Sequence, residues 1–177
     1  MLESHPPHQI FWFGGIVKLN LEKPDMEFSS AHFLVGEGFC ERLHGHNYRV
    51  KICVEGKPRK DKMVINFLSL KAIAKKLCEE YDHKFLLPLK NPLLKITEED
   101  DSIKIETVEK KTYVFPKSDV VKLDIKDSTC EELAKDYCQK LIKKLEEAGE
   151  LKWGNIKLIS VTVEEAEGQG ATETRKL

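Results

Sequence analysis

The segment Cys40-Glu41-Arg42-Leu43-His44-Gly45-His46-Asn47-Tyr48, preceded by Phe28-Ser29-Ser30-Ala31-His32, decides how this chain is read. From Tyr48 to Val54 apolar and polar residues alternate, the pattern of a strand with one face buried. His44 and His46 are two residues apart, so on extended backbone their rings project to the same face, and Gly45 keeps the opposite face small. His32 ends another alternating run and supplies a third imidazole, which closes a facial three-nitrogen site with bonds of about 2.0–2.1 Å to zinc. No fourth protein ligand stands nearby, and three ligands with an open position mark a working zinc site rather than a structural one. Any one of these histidines alone reads as a surface residue. The H-x-H spacing, the upstream histidine and the thiol of Cys40 between them argue for a metal centre with its own base.

Around that centre, 177 residues at 41% hydrophobic content suffice for one core, so the expectation is a single domain over 1–177, with 1–10 as a flexible tail that carries His5 and His8. A formal charge of −1, with both signs interleaved, excludes the concentrated positive face that nucleic acid requires. Charged residues make up 33%, which suits a well-solvated surface. The cysteines at 40, 53, 78, 130 and 138 form no C-x-x-C pair and are odd in number, which points to a reduced, cytoplasmic protein. Four of them fall in expected strands or helices as small buried residues; Cys40 lies in a loop. No basic leader opens the chain and no segment approaches a membrane span.

The spacing predicts a strand from Ile16 to His32, interrupted at Lys23-Pro24-Asp25, paired with a second from Tyr48 to Glu55. Phe67, Leu70, Ile73, Ala74, Leu77 and Tyr81 form one helical stripe. A second helix is expected from Thr129 to Ala148, with Thr129 and Glu132 as a capping box and Gly149 as the stop. Ile103–Thr107 and Thr112–Phe115 read as a hairpin, taken with its flanks as an insertion over 98–116. Ile156 to Val163 reads as the last strand, followed by a polar tail. These elements give an α+β fold, a largely antiparallel β-sheet with two helices packed on one face.

Taken together, these segments resemble the 6-pyruvoyl-tetrahydropterin synthase and 6-carboxy-tetrahydropterin synthase family, which has the tunnelling fold (T-fold). Phe28 to His32 is similar to its first zinc motif and Cys40 to Tyr48 to its C-x-x-x-H-G-H-N-Y segment. Met63-Val64-Ile65-Asn66-Phe67 with Leu70-Lys71 resembles the opening of its first helix, and Asp82-His83-Lys84 with Leu86 the Asp-His element that follows. Ser128-Thr129-Cys130-Glu131-Glu132-Leu133-Ala134 resembles the start of its second helix, and Val161 to Ala171 its pterin-anchoring strand. The resemblance implies Zn2+ held by His32, His44 and His46, with Cys40 as the proton-transferring thiol. It also implies that Asp82 and His83 come from a neighbouring subunit of a homo-oligomeric barrel, a hexamer built as a dimer of trimers. Glu165 would hold the pterin ring, with Thr129 and Glu131 lining the pocket.

The implied reaction acts on 7,8-dihydroneopterin triphosphate, whose vicinal hydroxyls can chelate a metal, and expels triphosphate. The product is 6-carboxy-tetrahydropterin, for a deazaguanine (queuosine-type) pathway, or 6-pyruvoyl-tetrahydropterin. The C-x-x-x-H-G-H spacing favours the first. Glu41 beside Cys40 resembles a subgroup that carries both residues. A glutamate serving there implies cleavage of the arm to 6-hydroxymethyl-dihydropterin, and makes Glu41 a second candidate acid/base. Asn66 stands where the family usually has aspartate, and Ala166 where threonine is usual. Outside this family, an H-x-H strand also opens the metal motif of cupin barrels, but that motif needs a glutamate three or four residues on, and Glu55 is too distant.

Overall fold

The computed structural model describes residues 15–177; the expected tail at 1–10, with His5 and His8, lies outside them. The elements run β1 (Val17–Leu21), β2 (Glu27–His32), a 3-10 turn at Gly38–Glu41, β3 (His44–Gly56), α1 (Phe67–Tyr81), β4 (Lys84–Pro88), β5 (Leu94–Glu98), β6 (Ser102–Thr107), β7 (Thr112–Pro116), β8 (Val120–Leu123), α2 (Cys130–Glu147), β9 (Ile156–Ala166) and β10 (Gln169–Lys176). The expected first strand is two strands, because the chain turns at Lys23, where the Met26 amide donates to its carbonyl. β3 starts at His44, earlier than its apolar alternation, because the register with β2 carries both histidines into the ladder.

β3 organises the main sheet. Its first half pairs antiparallel with β2 and its second half with β1 on the same side, while β9 runs along its other edge. The seven-stranded order is β10-β9-β3-β2-β4-β8 with β1 beside β3. The β2–β4 and β4–β8 pairs are parallel, so the sheet is mixed with an antiparallel majority.

Both helices cover one face. The side chain of Asn66 caps α1 by accepting from the Leu68 amide, work that an aspartate would do equally well. Leu70, Ala74, Leu77, Cys78 and Tyr81 are buried from α1, whereas Phe67, at the edge of the expected stripe, is exposed. Thr129 caps α2 by accepting from the Glu132 amide, but the reciprocal half of the box is absent: the Glu132 carboxylate accepts from the Lys126 amide instead. Leu133, Tyr137, Leu141 and Leu145 of α2 pack against Val50, Ile52, Ile159 and Val161. Each such side chain, removed from water, contributes about 1.5–3 kcal/mol.

A second, smaller core lies on the other face. There β5, β6 and β7 form a three-stranded antiparallel sheet, so the sequence-predicted hairpin has a third strand. Ile103 and Ile105 of β6 are fully buried against Phe33, Phe85 and Leu87. The expected polar tail is the edge strand β10, paired along β9 and missed because its threonines and charges show no apolar alternation. No helix among the described residues is long and apolar enough to cross a membrane.

Candidate metal centre

The register of β2 against β3 builds the centre. His32 stands directly opposite His44, and Ser30 opposite His46. All of these positions share the helix-side face with Phe28 and Tyr48, since alternate residues of a strand face alike. Gly45 is required by the close approach of the strands: a Cβ there would sit 2.8 Å from the Ser30 carbonyl oxygen. One nitrogen from each of His32, His44 and His46 lies within 4.8 Å of the others. Their ring centroids are 4.5–5.2 Å apart.

The hydrogen bonds select the tautomers a cation needs. His32 Nδ1–H donates to the Ser128 carbonyl at 3.1 Å, and His44 Nδ1–H to the Arg42 carbonyl at 2.6 Å. Each ring thereby carries its lone pair on Nε2, the arrangement by which backbone carbonyls orient metal-binding imidazoles. The Tyr48 hydroxyl donates to His32 Nε2 at 3.3 Å. Burial, with His44 and His46 beside it, pushes His32 down to about 4, so it is neutral near pH 7. Three imidazoles, His32 buried and His44 and His46 half-buried, form a donor set that fits a divalent zinc-type ion.

Cys40 is exposed on the 3-10 turn, whose backbone is tied to the segment after His32 by the Leu34 amide donating to the Cys40 carbonyl at 2.8 Å. Glu41 next to it is bound by Lys111 Nζ at 3.1 Å. That hydrogen bond holds the Glu41 carboxyl below the usual range.

Glu165 lies at the end of β9 on the helix-side face, where the Cys130 thiol donates to its carboxylate at 3.6 Å. Burial, and then Glu165, push Cys130 up to about 12. Tyr48 is also raised, by burial first and then by Cys130 and Glu165, which places these side chains in one neighbourhood. The start of α2 thus makes two contacts on this face, with Ser128 on His32 and Cys130 on Glu165. Between them, the Thr129 hydroxyl is committed to the helix cap, and Glu131 is exposed on the first turn.

Asp82 and His83 are not brought to this centre. The Ser29 amide donates to Asp82 Oδ1 at 2.7 Å, and His83 Nδ1 donates to Asp82 Oδ2 at 2.8 Å. Partial burial alone would raise the Asp82 carboxyl, but the Ser29 amide and the His83 ring hold it below its ordinary value. His83, at a φ of 55°, is exposed and lines a cleft of about 420 Å3 with Ser29, Ala31, Asn47, Phe85 and Phe115. Ser29, Ala31 and Asn47 alternate with the metal-centre residues, so their side chains lie on the opposite face of the sheet, while Ser30 and His46 also border the cleft.

A family model described as 6-pyruvoyl tetrahydropterin synthase matches residues 22–176. The chain belongs to the 6-pyruvoyl tetrahydropterin synthase family. A Methanocaldococcus jannaschii protein provisionally named 6-carboxy-5,6,7,8-tetrahydropterin synthase is 34% identical over 157 residues, which cover 88% of this chain and 94% of that protein. The Aquifex aeolicus 6-carboxy-5,6,7,8-tetrahydropterin synthase is 33% identical over 70% of this chain and 68% of its own. Among solved structures, a Plasmodium vivax 6-pyruvoyltetrahydropterin synthase superimposes with a TM-score of 0.86 at 37% identity, covering 92% of this chain and 99% of that one; it is described as a variant in which a catalytic glutamate is replaced by alanine.

Family membership and the helix-covered mixed sheet remove the cupin alternative, which needs a barrel around its H-x-H pair. Sequence reading overlooked Tyr48, Ser128, Cys130 and Lys111 as neighbours of the site. Tyr48 was accessible, because it continues the two-residue spacing of His44 and His46. Ser128 carries no local signal, since its contact with His32 spans 96 residues of chain.

Proposed function

We propose that this pterin synthase is a zinc-dependent lyase that converts 7,8-dihydroneopterin triphosphate to 6-carboxy-5,6,7,8-tetrahydropterin, with loss of triphosphate and of the outer carbons of the arm as acetaldehyde. The observation that carries the reading is the set His32, His44 and His46, with Nδ1 of His32 and of His44 held by backbone carbonyls, which leaves their lone pairs on Nε2. The 6-carboxy names of the Methanocaldococcus and Aquifex relatives favour that product over the pyruvoyl one.

The three imidazoles would hold zinc, which when bound polarises the arm's vicinal hydroxyls so that adjacent C–H protons become removable. Cys40 takes such a proton, and the electron pair released drives departure of triphosphate with its C–O bond pair. Glu165 accepts the side-by-side N–H groups of the pterin 2-amino and ring nitrogen, as a carboxylate does with two parallel donors. Cys130 orients that carboxylate. In this reading Thr129 and Glu131, on the first turn of α2, line the pterin pocket. Asp82 fixes the tautomer of His83, which delivers or accepts the second proton.

Because Asp82 and His83 lie on the face opposite their own imidazoles, the reading has them serve a neighbouring copy, in a homo-oligomer of two trimers. The free cysteines among the described residues accord with a reducing cytoplasm. Arm cleavage to 6-hydroxymethyl-dihydropterin is a second reading, favoured by Glu41 beside Cys40 and by the catalytic glutamate of the Plasmodium relative. Incubating the zinc-loaded protein with 7,8-dihydroneopterin triphosphate and weighing the pterin product tests both. The expected mass is that of 6-carboxy-tetrahydropterin; no turnover of this substrate would end the proposal.

A further inference from the structure

The three-stranded sheet has no part in the scheme above, yet it reaches the site at one point. Lys111 stands at the β6–β7 turn, and its ammonium touches the Glu41 carboxylate at 3.1 Å and Glu109 at 3.3 Å. The turn holding it is fixed at both ends of the backbone. The Thr107 amide donates to the Lys111 carbonyl at 3.0 Å, the Lys111 amide donates to Thr107 Oγ1 at 3.2 Å, and Lys110 takes the left-handed conformation at φ 65°. Behind the turn, Ile103 and Ile105 anchor β6 in a core that includes Phe33, the residue next to His32. The lysine is therefore delivered to Glu41 by a packed element rather than by a free loop.

Two groups that can remove a proton are neighbours on the 3-10 turn that precedes His44, and among the described residues an ion pair is seen for Glu41. Cys40 is exposed, whereas the Glu41 side chain is only 22% exposed and carries the lysine on Oε2. We propose that Lys111 is a positioning residue that disarms Glu41 as a base, leaving proton removal to Cys40 and so setting the product; this rests on the pterin reading above. A carboxylate whose lone pair faces an ammonium is a weaker proton acceptor and is held to one orientation. The lowered proton affinity of Glu41 has Lys111 as its first cause.

The alternative outcome that Lys111 suppresses is arm cleavage by a retro-aldol step. In it Glu41 takes the proton of the 2′-hydroxyl, and the O–H pair becomes the carbonyl of a two-carbon aldehyde that carries the triphosphate. The pair of the broken C1′–C2′ bond moves into the adjacent ring C=N and is then protonated at C1′, with no net oxidation and no co-reactant. Proton removal from carbon by Cys40 leads instead to triphosphate loss.

The test is the ratio of arm-cleaved to triphosphate-eliminated product for the zinc-loaded full chain, with Lys111→Met, Lys111→Arg and Lys111→Met/Glu41→Gln. The methionine keeps the aliphatic length of the lysine at a partly exposed turn, so the fold is retained. Lys111→Met is expected to raise the arm-cleaved share several-fold, Lys111→Arg to restore the original ratio, and the added Glu41→Gln to cancel the rise. An unchanged ratio in Lys111→Met, or a rise that survives Glu41→Gln, overturns the proposal. Carbon-13 NMR of the Glu41 carboxyl supplies a readout independent of turnover. Its titration is expected at higher pH in Lys111→Met than in the parent, and coincident titrations overturn the ion pair even where the pterin reading stands. A parent enzyme with no turnover would instead sink the pterin reading while the NMR result held.

Discussion

Two regions on one strand, β2, are built in opposite ways. His32, on the helix side, is 1% exposed, with Ser128, Tyr48 and two further imidazoles around it. Ser29, three residues earlier and on the other face, fixes Asp82 and through it His83, whose side chain is 83% exposed. The first region is complete within one chain, packed and preorganised. The second is held firmly by its backbone but presents its imidazole outward. Strand alternation underlies the difference: neighbouring residues on β2 send their side chains to opposite faces, so the groups built on His32 and on Ser29 belong to different sides of the sheet.

The largest effect expected from this contrast is at the buried region. His46→Ala should remove the metal and lower turnover by more than about 10⁴-fold, beyond the ~10²–10⁴ of a single general acid or base. Metal content by elemental analysis checks it, and a variant that retains stoichiometric metal breaks the assignment. The exposed region is sharpened by mixing. Cys40→Ala and His83→Ala should each cost about 10²–10⁴ in kcat. Co-assembled, they should recover up to about a quarter of parental activity, by random assortment of two half-sites in a symmetric oligomer. No recovery in verified mixed oligomers would place the dyad in its own chain's site.

Smaller effects test the supports. Ser128→Ala removes the hydroxyl beside His32 but keeps the carbonyl that accepts from Nδ1, so metal affinity should fall by no more than about tenfold, the low end of such orienting contacts. Competition with a chelator of known affinity measures it. Smallest is the stabilising role of Asp82, whose carboxyl is held below its unfolded value. A depressed carboxyl contributes stability above the unfolded value of about 3.9, and that stability is lost as pH falls through the folded one. Denaturant melts of Asp82→Asn should therefore show a deficit near pH 7 that closes towards pH 3; a deficit that widens on acidification would contradict the contact.

Much of the buried region was legible in the sequence because its logic is local. The H-x-H pair, Gly45 and the alternation of β3 lie in one stretch, and strand period alone puts the rings on one face. The helices were legible for the same reason, through the stripe Leu133, Tyr137, Leu141 and Leu145. What escaped was set by partners distant in the chain. β4 reads as a continuous apolar run, because Leu86 faces the helices while Phe85 and Leu87 face the small sheet, so no alternation marks it as a strand. β10 is polar because it forms an edge. Lys111 reads as one charge among many until the β6–β7 turn is folded against Glu41.

X-ray absorption spectroscopy of the zinc-loaded protein tests the centre most directly. Three imidazole nitrogens at about 2.0–2.1 Å and one exchangeable oxygen are expected in the parent, and no stoichiometric zinc signal in His46→Ala. A sulfur scatterer, four protein donors, or a spectrum unaltered by His46→Ala would contradict an open site made by His32, His44 and His46.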